Sequence, residues 1–368
     1  MSSFYMKLRT LETMSRKKQI LFIVNPISGT QDKEAILKEI EEKIDKDLFE
    51  VTISKTQYAG HAFDIATEAV NNKVDFVVAI GGDGTINEIG RALIHTDTAM
   101  GIIPCGSGNG LARHLHIPMD VSKAINIINE ANVRAIDYGI ISGHPFFCTC
   151  GVGFDAFVSL KFADSGKRGL LSYLENTLQE SLTYKPETYE IENSTGTVKY
   201  KAFLIACANA SQYGNNAYIA PQASLTDGMM DITVLEPFTV LDVPSLAFQL
   251  FNRTLDKNSR IKTMRDKRII IHRAEEGVFH FDGDPCIGGK DLEVEIIPLG
   301  IKVITPKNPV EENDLFSIGH YVNEFIQKKT ISSAISEKQK QFVKLNKHVI
   351  KKISNIKKST TNSIKRRK

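Results

Sequence analysis

The sequence predicts an α/β N-terminal domain with a parallel sheet, followed by a mainly antiparallel β-sandwich. Up to about Asp137, short apolar runs alternate with stretches whose apolar residues recur at helical spacing, the order that builds a parallel sheet with helices on its faces. Beyond it, many short aromatic and β-branched segments are separated by turn residues, the pattern of an antiparallel sandwich or barrel-like domain. At 368 residues and 42% hydrophobic content the chain is long enough for two domains.

Gln19–Val24 (QILFIV) reads as a β-branched strand ended by the turn formers of NPISGT. In DKEAILKEIEEKI, Ile36, Leu37, Ile40 and Ile44 share one helix face, and FEVTISKT then alternates like a strand. GHAFDIATEAVNN is a second helix and VDFVVAI a fully buried strand. INEIGRALI, MGIIP and VSKAINIINEA continue as helix, strand and helix. The later strands are HPFFCTCGVGF, ETYEIEN, VKYKAFLIACANA, MMDITVLE, RIIIH, GVFHFDGD and LEVEIIP, with one helical stretch near LSYLENTLQESL. GVGF (Gly151–Phe154) is expected as a domain-crossing bend. Beyond Pro309 the pattern is helical and then dissolves into Lys, Ser, Thr and Asn.

The first twenty residues carry charges throughout, and no segment approaches the roughly 20 continuous apolar residues of a membrane span. A soluble, cytoplasmic chain is expected. Five cysteines, an odd number spread over a long sequence, suit free thiols in a reducing compartment. The net charge of +3 conceals an asymmetry: 12 of the 46 Lys and Arg fall in Lys338–Lys368, which holds no acidic residue. The body is acidic and the tail basic.

In FVVAIGGDGTINEIGRAL (Phe76–Leu93) a buried strand breaks into Gly81-Gly82-Asp83-Gly84-Thr85 before a helix. Such a turn lies at the carboxyl edge of a parallel sheet, where open α/β sheets bind ligands. Glycine lets consecutive N–H groups converge on an anion, and the following helix adds its N-terminal partial charge. Phosphate fits. The loop has neither the Lys-Ser/Thr pair of a Walker A loop nor the G-x-G-x-x-G dinucleotide pattern. An ordinary β-α turn explains one or two glycines but leaves Asp83 and Thr85 without a use. Val24–Gly29 (VNPISG) and Ile102–Leu115 (IIPCGSGNGLARHL) end the first and fourth strands in similar turns, so adjacent parallel strands would bring three loops to one edge.

NPISG, GGDGTINEI and PCGSGNGLARHL, in that order and spacing, resemble the catalytic domain shared by diacylglycerol kinases, sphingosine and ceramide kinases and the bacterial lipid kinases of the same superfamily. IDYGIISGHPFFCTCGVGFDA resembles the family's crossing segment, IAPQASLTDGMMDITVL its metal-site region and FHFDGDP its late Asp-Gly-Glu motif. The resemblance covers about residues 18–306. The GGDG loop alone is shared with NAD kinases and phosphofructokinases, so the combination carries the specificity.

The resemblance implies a phosphofructokinase/NAD kinase-like nucleotide-binding domain over 18–137, a β-rich lipid-substrate domain over 138–306 whose last strands return to the first, and a basic tail over 307–368. It implies an ATP-dependent lipid kinase. Nucleotide contacts fall to Asn25, Thr56, Gly81, Gly82, Asp83, Gly84, Thr85, Ile86, Asn87, Glu88 and Ser107, with Asp83 organising the nucleotide's Mg²⁺ through water. Asp227, with the backbone carbonyls of Ser224 and Met229, matches a structural Mg²⁺ site, and Asp137 matches an acid near the cleft. The late motif supplies the base, Asp282 or Asp284, with Asp282 ranked first. The chemistry agrees: phosphoryl transfer is mostly positioning and electrostatics, and an ionised Asp can orient a lipid hydroxyl and take its proton late. One departure stands out. Where most members have Asp-Gly-Glu this chain has Asp282-Gly283-Asp284, withdrawing the last carboxylate by roughly one methylene.

His114 and His116 are not read as a metal pair, because i and i+2 on a helix do not face each other. Cys148 and Cys150 are expected as buried packing. Phe342, Leu345, Val349, Ile353 and Ile356 recur at 3- and 4-residue spacing among lysines, an amphipathic basic stripe suited to an anionic phospholipid bilayer; a docked C-terminal helix is the alternative, and no specific nucleic-acid partner is expected. A homodimer is left open. Diacylglycerol is the first choice of substrate, with a sphingoid base as near alternative and a catalytically silent nucleotide or lipid sensor as the reading from another class.

Overall fold

Strand β1 (Lys18–Val24) buries Phe22, Ile23 and Val24 and pairs in parallel with β2 (Phe49–Lys55) on one side and β3 (Phe76–Gly81) on the other, β3 pairing in turn with β4 (Ala99–Pro104). Every residue of β3 and β4 is buried, as both-face coverage by helices requires. Those helices are α1 (Lys33–Lys43), α2 (His61–Asn71), α3 (Asp83–Leu93), the short α4 (Gly110–His114) and α5 (Val121–Glu130). Asp32 caps α1 by accepting from Glu34 N, and Asp120 caps α5 by accepting from Lys123 N. The computed structural model describes residues 16–165, 184–239 and 241–309. The helix expected near LSYLENTLQESL and the basic stripe after Pro309 lie outside the described residues.

The register sets the level of the loops. Val24 stands opposite both Lys55 and Ile80, and Gly81 opposite Pro104. β1, β3 and β4 therefore release the chain side by side at one edge.

The second half supplies β5 (Val133–Ile141), β6 (His144–Phe146), β7 (Thr149–Gly153), α6 (Phe154–Ser165), β8 (Glu187–Asn193), β9 (Gly196–Ala202), β10 (Leu204–Ala208), β11 (Met230–Leu235), β12 (Ile261–Asp266), β13 (Arg268–Arg273), β14 (Gly277–Phe281), β15 (Asp284–Gly288) and β16 (Asp291–Ile304). One sandwich layer is a six-stranded antiparallel sheet, β12-β11-β10-β7-β14-β15. The other continues the parallel sheet, which runs β2-β1-β3-β4-β16-β13-β8-β9 with β5 against β16 and β6 against β5. The join is β16: Val303 pairs in parallel with Met100 of β4, while the same strand runs antiparallel to β13 and β5 and breaks register between Ile297 and Ile301.

Two apolar cores follow. One packs helices on the parallel strands around Phe22, Ile80, Ile89 and Met100. The other fills the sandwich with Phe146, Val152, Tyr189, Ile232 and Phe279. GVGF is no crossing between domains; β7 runs there directly into α6 within the sandwich. All five thiols are free, and Cys105, Cys148, Cys150 and Cys207 are buried. These elements belong to one unit, residues 1–238 and 249–313; of the other, 239–248 with 314–368, only Thr239 and 241–248 are described.

Candidate active site

Three loops leave the aligned strand ends and touch. Asn25 N donates to Ile80 O at 3.0 Å, Cys105 N to Gly81 O at 2.8 Å and Thr56 N to Val24 O at 2.9 Å. Asn25 Nδ2 also donates to Thr85 Oγ1 at 3.0 Å, tying the first loop to the second. The contact is too close for side chains. A Cβ on Gly106 would lie 2.5 Å from Gly82 Cα, and one on Gly29, whose φ is +59°, would lie 1.7 Å from Cys105 O. Gly106→Ala is therefore expected to lower stability by about 1–3 kcal/mol through overpacking, read by urea unfolding; an unchanged midpoint would show that the loops can part.

Buried Lys33 secures the first loop, its ammonium donating to Ser28 O at 2.7 Å and Gln31 O at 3.0 Å. Helix α3 begins at Asp83 with Gly82 as N-cap, and no side chain caps it. A Cβ on Gly84 would meet nothing within 4 Å, and Ser107 at the third loop is exposed. The eleven-residue helix thus begins without a side-chain cap beside the unobstructed Gly84, an end whose free amides and dipole favour an anion.

Asp83 fastens the second loop to the third. Its Oδ2 accepts from Asn109 N at 2.9 Å and its Oδ1 from Gly110 N at 2.7 Å. Burial raises its pKa, while those two amides and Arg113 pull it back. Asn109, at φ +55°, staples its own turn by accepting from Gly106 N at 2.9 Å and donating to Gly106 O at 2.8 Å. Glu88 faces elsewhere: its two oxygens accept from Gly60 N at 2.9 Å and Ala62 N at 3.1 Å, capping α2, whose own N-cap is a glycine at φ +91°. Ile86 is buried, its N–H donating to Gly82 O at 3.0 Å.

The late motif arrives on the β14–β15 hairpin. Asp282, at φ +48°, has both oxygens occupied. Oδ2 accepts from Asn87 Nδ2 at 2.9 Å and Phe147 N at 2.8 Å, and Oδ1 from Cys148 N at 2.8 Å and Thr149 N at 3.2 Å. Burial lifts its pKa to about 6 against the pull of Asn87 and the amides, so it is ionised at neutral pH. Asp284 is solvent-accessible, and its carboxylate takes no hydrogen bond among the described residues. Desolvation in the cleft raises its pKa; Glu88 and Asp83 push the same way, and Arg91 and His280 oppose them.

Several contributors escaped the sequence reading. Buried Asn209 donates to Asp137 O and Phe147 O, both at 2.9 Å. Gly214, at φ +114°, comes so close to Gly108 that a Cβ would lie 2.6 Å from its carbonyl carbon, and Asn215 N donates to Gly108 O at 3.1 Å. Behind the hairpin, buried His280 bonds Asp155 through Nε2 at 3.1 Å, and Tyr213 Oη donates to the same carboxylate at 3.2 Å. Asn109 and Lys33 carry the one local signal, a polar side chain inside or beside a glycine turn. His114 Nδ1 accepts from Ser211 N at 3.0 Å, and burial lowers its pKa to about 4, so it is a neutral packing histidine.

At the turn expected to hold Mg²⁺ with the Ser224 and Met229 carbonyls, the Asp227 carboxylate is already engaged by protein partners. Asp227 Oδ1 accepts from Met229 N at 3.0 Å, its Oδ2 accepts from the Arg265 guanidinium, and Thr226 N donates to Ser224 Oγ at 3.4 Å. Among the described residues no group of three or more His, Cys, Asp and Glu is placed to hold a metal. Asp137 is fully buried and anchors the same turn, accepting from Gly228 N at 2.7 Å and Leu299 N at 2.8 Å.

Glycine loops at the edge of an α/β layer, with an acidic hairpin from a β-sandwich bonded to the helix they lead into, are an arrangement suited to a phosphotransferase. Residues 19–141 match the family described as the diacylglycerol kinase catalytic domain, and residues 148–305 the YegS C-terminal NAD kinase beta sandwich-like domain. The chain belongs to the diacylglycerol kinase and YegS-like lipid kinase family and is a kinase. It is 28% identical over 304 residues to the diacylglycerol kinase of Bacillus subtilis, covering 81% of this chain and 99% of that one. It is 27% identical over 300 residues to "Probable lipid kinase YegS-like" of Pectobacterium atrosepticum, covering 80% and 98%. A diacylglycerol kinase structure from Bacillus anthracis superposes with a TM-score of 0.62 at 22% identity, covering 80% and 100%, a likeness of fold. No helix among the described residues is long and apolar enough to cross a membrane.

Proposed function

We propose that this chain transfers the γ-phosphoryl group of ATP to a lipid hydroxyl, with diacylglycerol as acceptor and phosphatidic acid as product. The observation that supports it most is the bond from Asn87 Nδ2 in α3 to Asp282 Oδ2, 2.9 Å long across 195 residues of sequence. That bond docks the hairpin on the helix that the second glycine loop opens, which supports giving the accessible Asp284 carboxylate of the same hairpin the role of base.

In this reading the amides from Gly82 to Thr85 and the turn at Ser107 hold the triphosphate, aided by the N-terminal field of α3. Mg²⁺ bound with the nucleotide, with Asp83 as its nearest carboxylate through water, would supply charge neutralisation on the phosphates. Asp83 sets the spacing of the second and third loops and keeps a lone pair on each oxygen for water. Asp284 accepts a hydrogen bond from the lipid hydroxyl and orients it in line. As the new oxygen–phosphorus bond forms and the bond to the β-phosphate oxygen breaks, the proton passes to Asp284 and ADP leaves. Asp282, already holding four donors, positions the hairpin rather than acting as base. The acceptor lies in a bilayer, so the basic stripe beyond residue 337 belongs to the proposal as a contact with anionic phospholipid at the cytoplasmic surface.

Radiolabelled ATP and a panel of lipid alcohols test this. Label is expected in extractable lipid with diacylglycerol, falling about 10–100-fold in Asp83→Asn, as loss of charge-assisted bonds between the loops predicts. Preferred transfer to a sphingoid base would change the acceptor. ATP binding without transfer to any lipid would make the protein a sensor and end the proposal.

A further inference from the structure

The turn before β11 raises a question of charge. Asp227 and Asp231 flank it, and both carboxylates reach one guanidinium: Arg265 Nη2 bonds Asp227 Oδ2, and Arg265 Nε lies 3.2 Å from Asp231 Oδ1. The arrangement is built into the sheet. Arg265 on β12 is the direct cross-strand partner of Asp231 on β11, where opposite charges on facing positions attract. A planar fork with several donors in fixed directions can serve two carboxylates at once, with a geometry that a lysine's single rotating ammonium does not fix.

Further protein bonds hold the turn. Asp227 Oδ1 takes Met229 N, Asp137 takes Gly228 N, and Asp137 N donates to Leu225 O at 2.7 Å. Gly228 sits at φ +66°, the conformation that folds the chain back over Asp137. A divalent ion on the Asp227 carboxylate would have to displace a cation already paired there, and Asp231 Oδ2, buried without a hydrogen bond, lies on the same guanidinium's second partner. Mg²⁺ takes one or two carboxylates beside carbonyls and waters, and here the carboxylate it would use is held by the guanidinium.

We propose that Arg265 is the resident cation of this turn, holding Asp227 and Asp231 in the place where the related fold suggests a structural metal ion, so that the segment from Ser224 to Asp231 keeps its shape without divalent metal. The idea does not depend on which acceptor the enzyme uses, or on its activity. It assigns Arg265 a positioning role: the turn it secures leads into β11, and β11 pairs with β10, which pairs with β7 beside the β14–β15 hairpin.

Thermal unfolding of the full chain without nucleotide, in EDTA and in millimolar magnesium chloride, tests it. Asp227→Asn reports any Mg²⁺ bound elsewhere. The wild-type midpoint is expected to rise with Mg²⁺ no more than that of Asp227→Asn. Arg265→Gln exposes two unpaired carboxylates and should melt lower in EDTA, then regain about 2–6 °C with Mg²⁺; Arg265→Lys, which keeps one charge but not the fork, should fall between them. A wild-type protein that Mg²⁺ stabilises beyond the Asp227→Asn control would overturn the proposal. So would an Arg265→Gln protein that melts like the wild type in EDTA. Should Arg265→Gln not fold, the wild-type comparison and Arg265→Lys still decide.

Discussion

Replacing Asp284 with Asn should lower kcat by about 10²–10⁴-fold, the usual contribution of a positioned general base, while leaving the melting temperature close to wild type. The asymmetry follows from its surroundings. Its carboxylate is accessible and accepts no hydrogen bond among the described residues, so an isosteric amide leaves no buried donor stranded. What disappears is the acceptor for the lipid hydroxyl's proton. Since its pKa is raised by desolvation and by the carboxylates of Glu88 and Asp83, activity should fall on the acid side at a pH above the roughly 3.9 of an ordinary aspartate. Glu88→Gln removes one of those charges and should move that limb to lower pH. Steady-state rates across pH and a thermal melt measure both effects. An Asp284→Asn enzyme that keeps more than a tenth of wild-type kcat would show that the base lies elsewhere.

The opposite pattern is expected two residues earlier. Asp282→Asn should lower stability by roughly 3–5 kcal/mol, the scale for removing one partner of a buried charged network. Four donors converge on the Asp282 carboxylate at 2.8–3.2 Å. An Asn offers one oxygen, and turns an NH₂ toward donors that need acceptors. The Phe147, Cys148 and Thr149 amides and the Asn87 side chain cannot all find partners after the change. In a protein of this size the melting temperature should drop by roughly 4–8 °C. Rate will fall too once the hairpin loosens from α3, so equilibrium unfolding, not turnover, separates the two aspartates. A variant as stable as wild type yet catalytically dead would reverse the assignments of Asp282 and Asp284.

The parallel layer was legible because its signals are local. Strands such as Phe76–Gly81 are continuous apolar runs, the helices between them carry one apolar face, and the glycines of the three loops mark where a side chain would collide. The sandwich was legible as a class through its short strands and turns. Its continuity with the parallel sheet was not, because the pairing of Val303 with Met100 joins segments about 200 residues apart, and neither run shows its partner. The same limit governs the late motif. Asp282-Gly283-Asp284 reads as two equivalent acids in a turn, because nothing local shows what either will meet. Asp282 meets amides from Phe147 to Thr149 and a side chain from Asn87, while Asp284 meets none of them.

Taken by itself, the order of residues determined the alternation of strands and helices, the glycine turns at strand ends and the acidic late motif, because propensity, periodicity and steric demand act between near neighbours in the chain. Tertiary structure alone decided which carboxylate is bound and which is free, and that Arg265 rather than open space faces Asp227. Hydrogen bonding and Coulomb attraction depend on separation in space, and only the pairing of distant strands sets that separation.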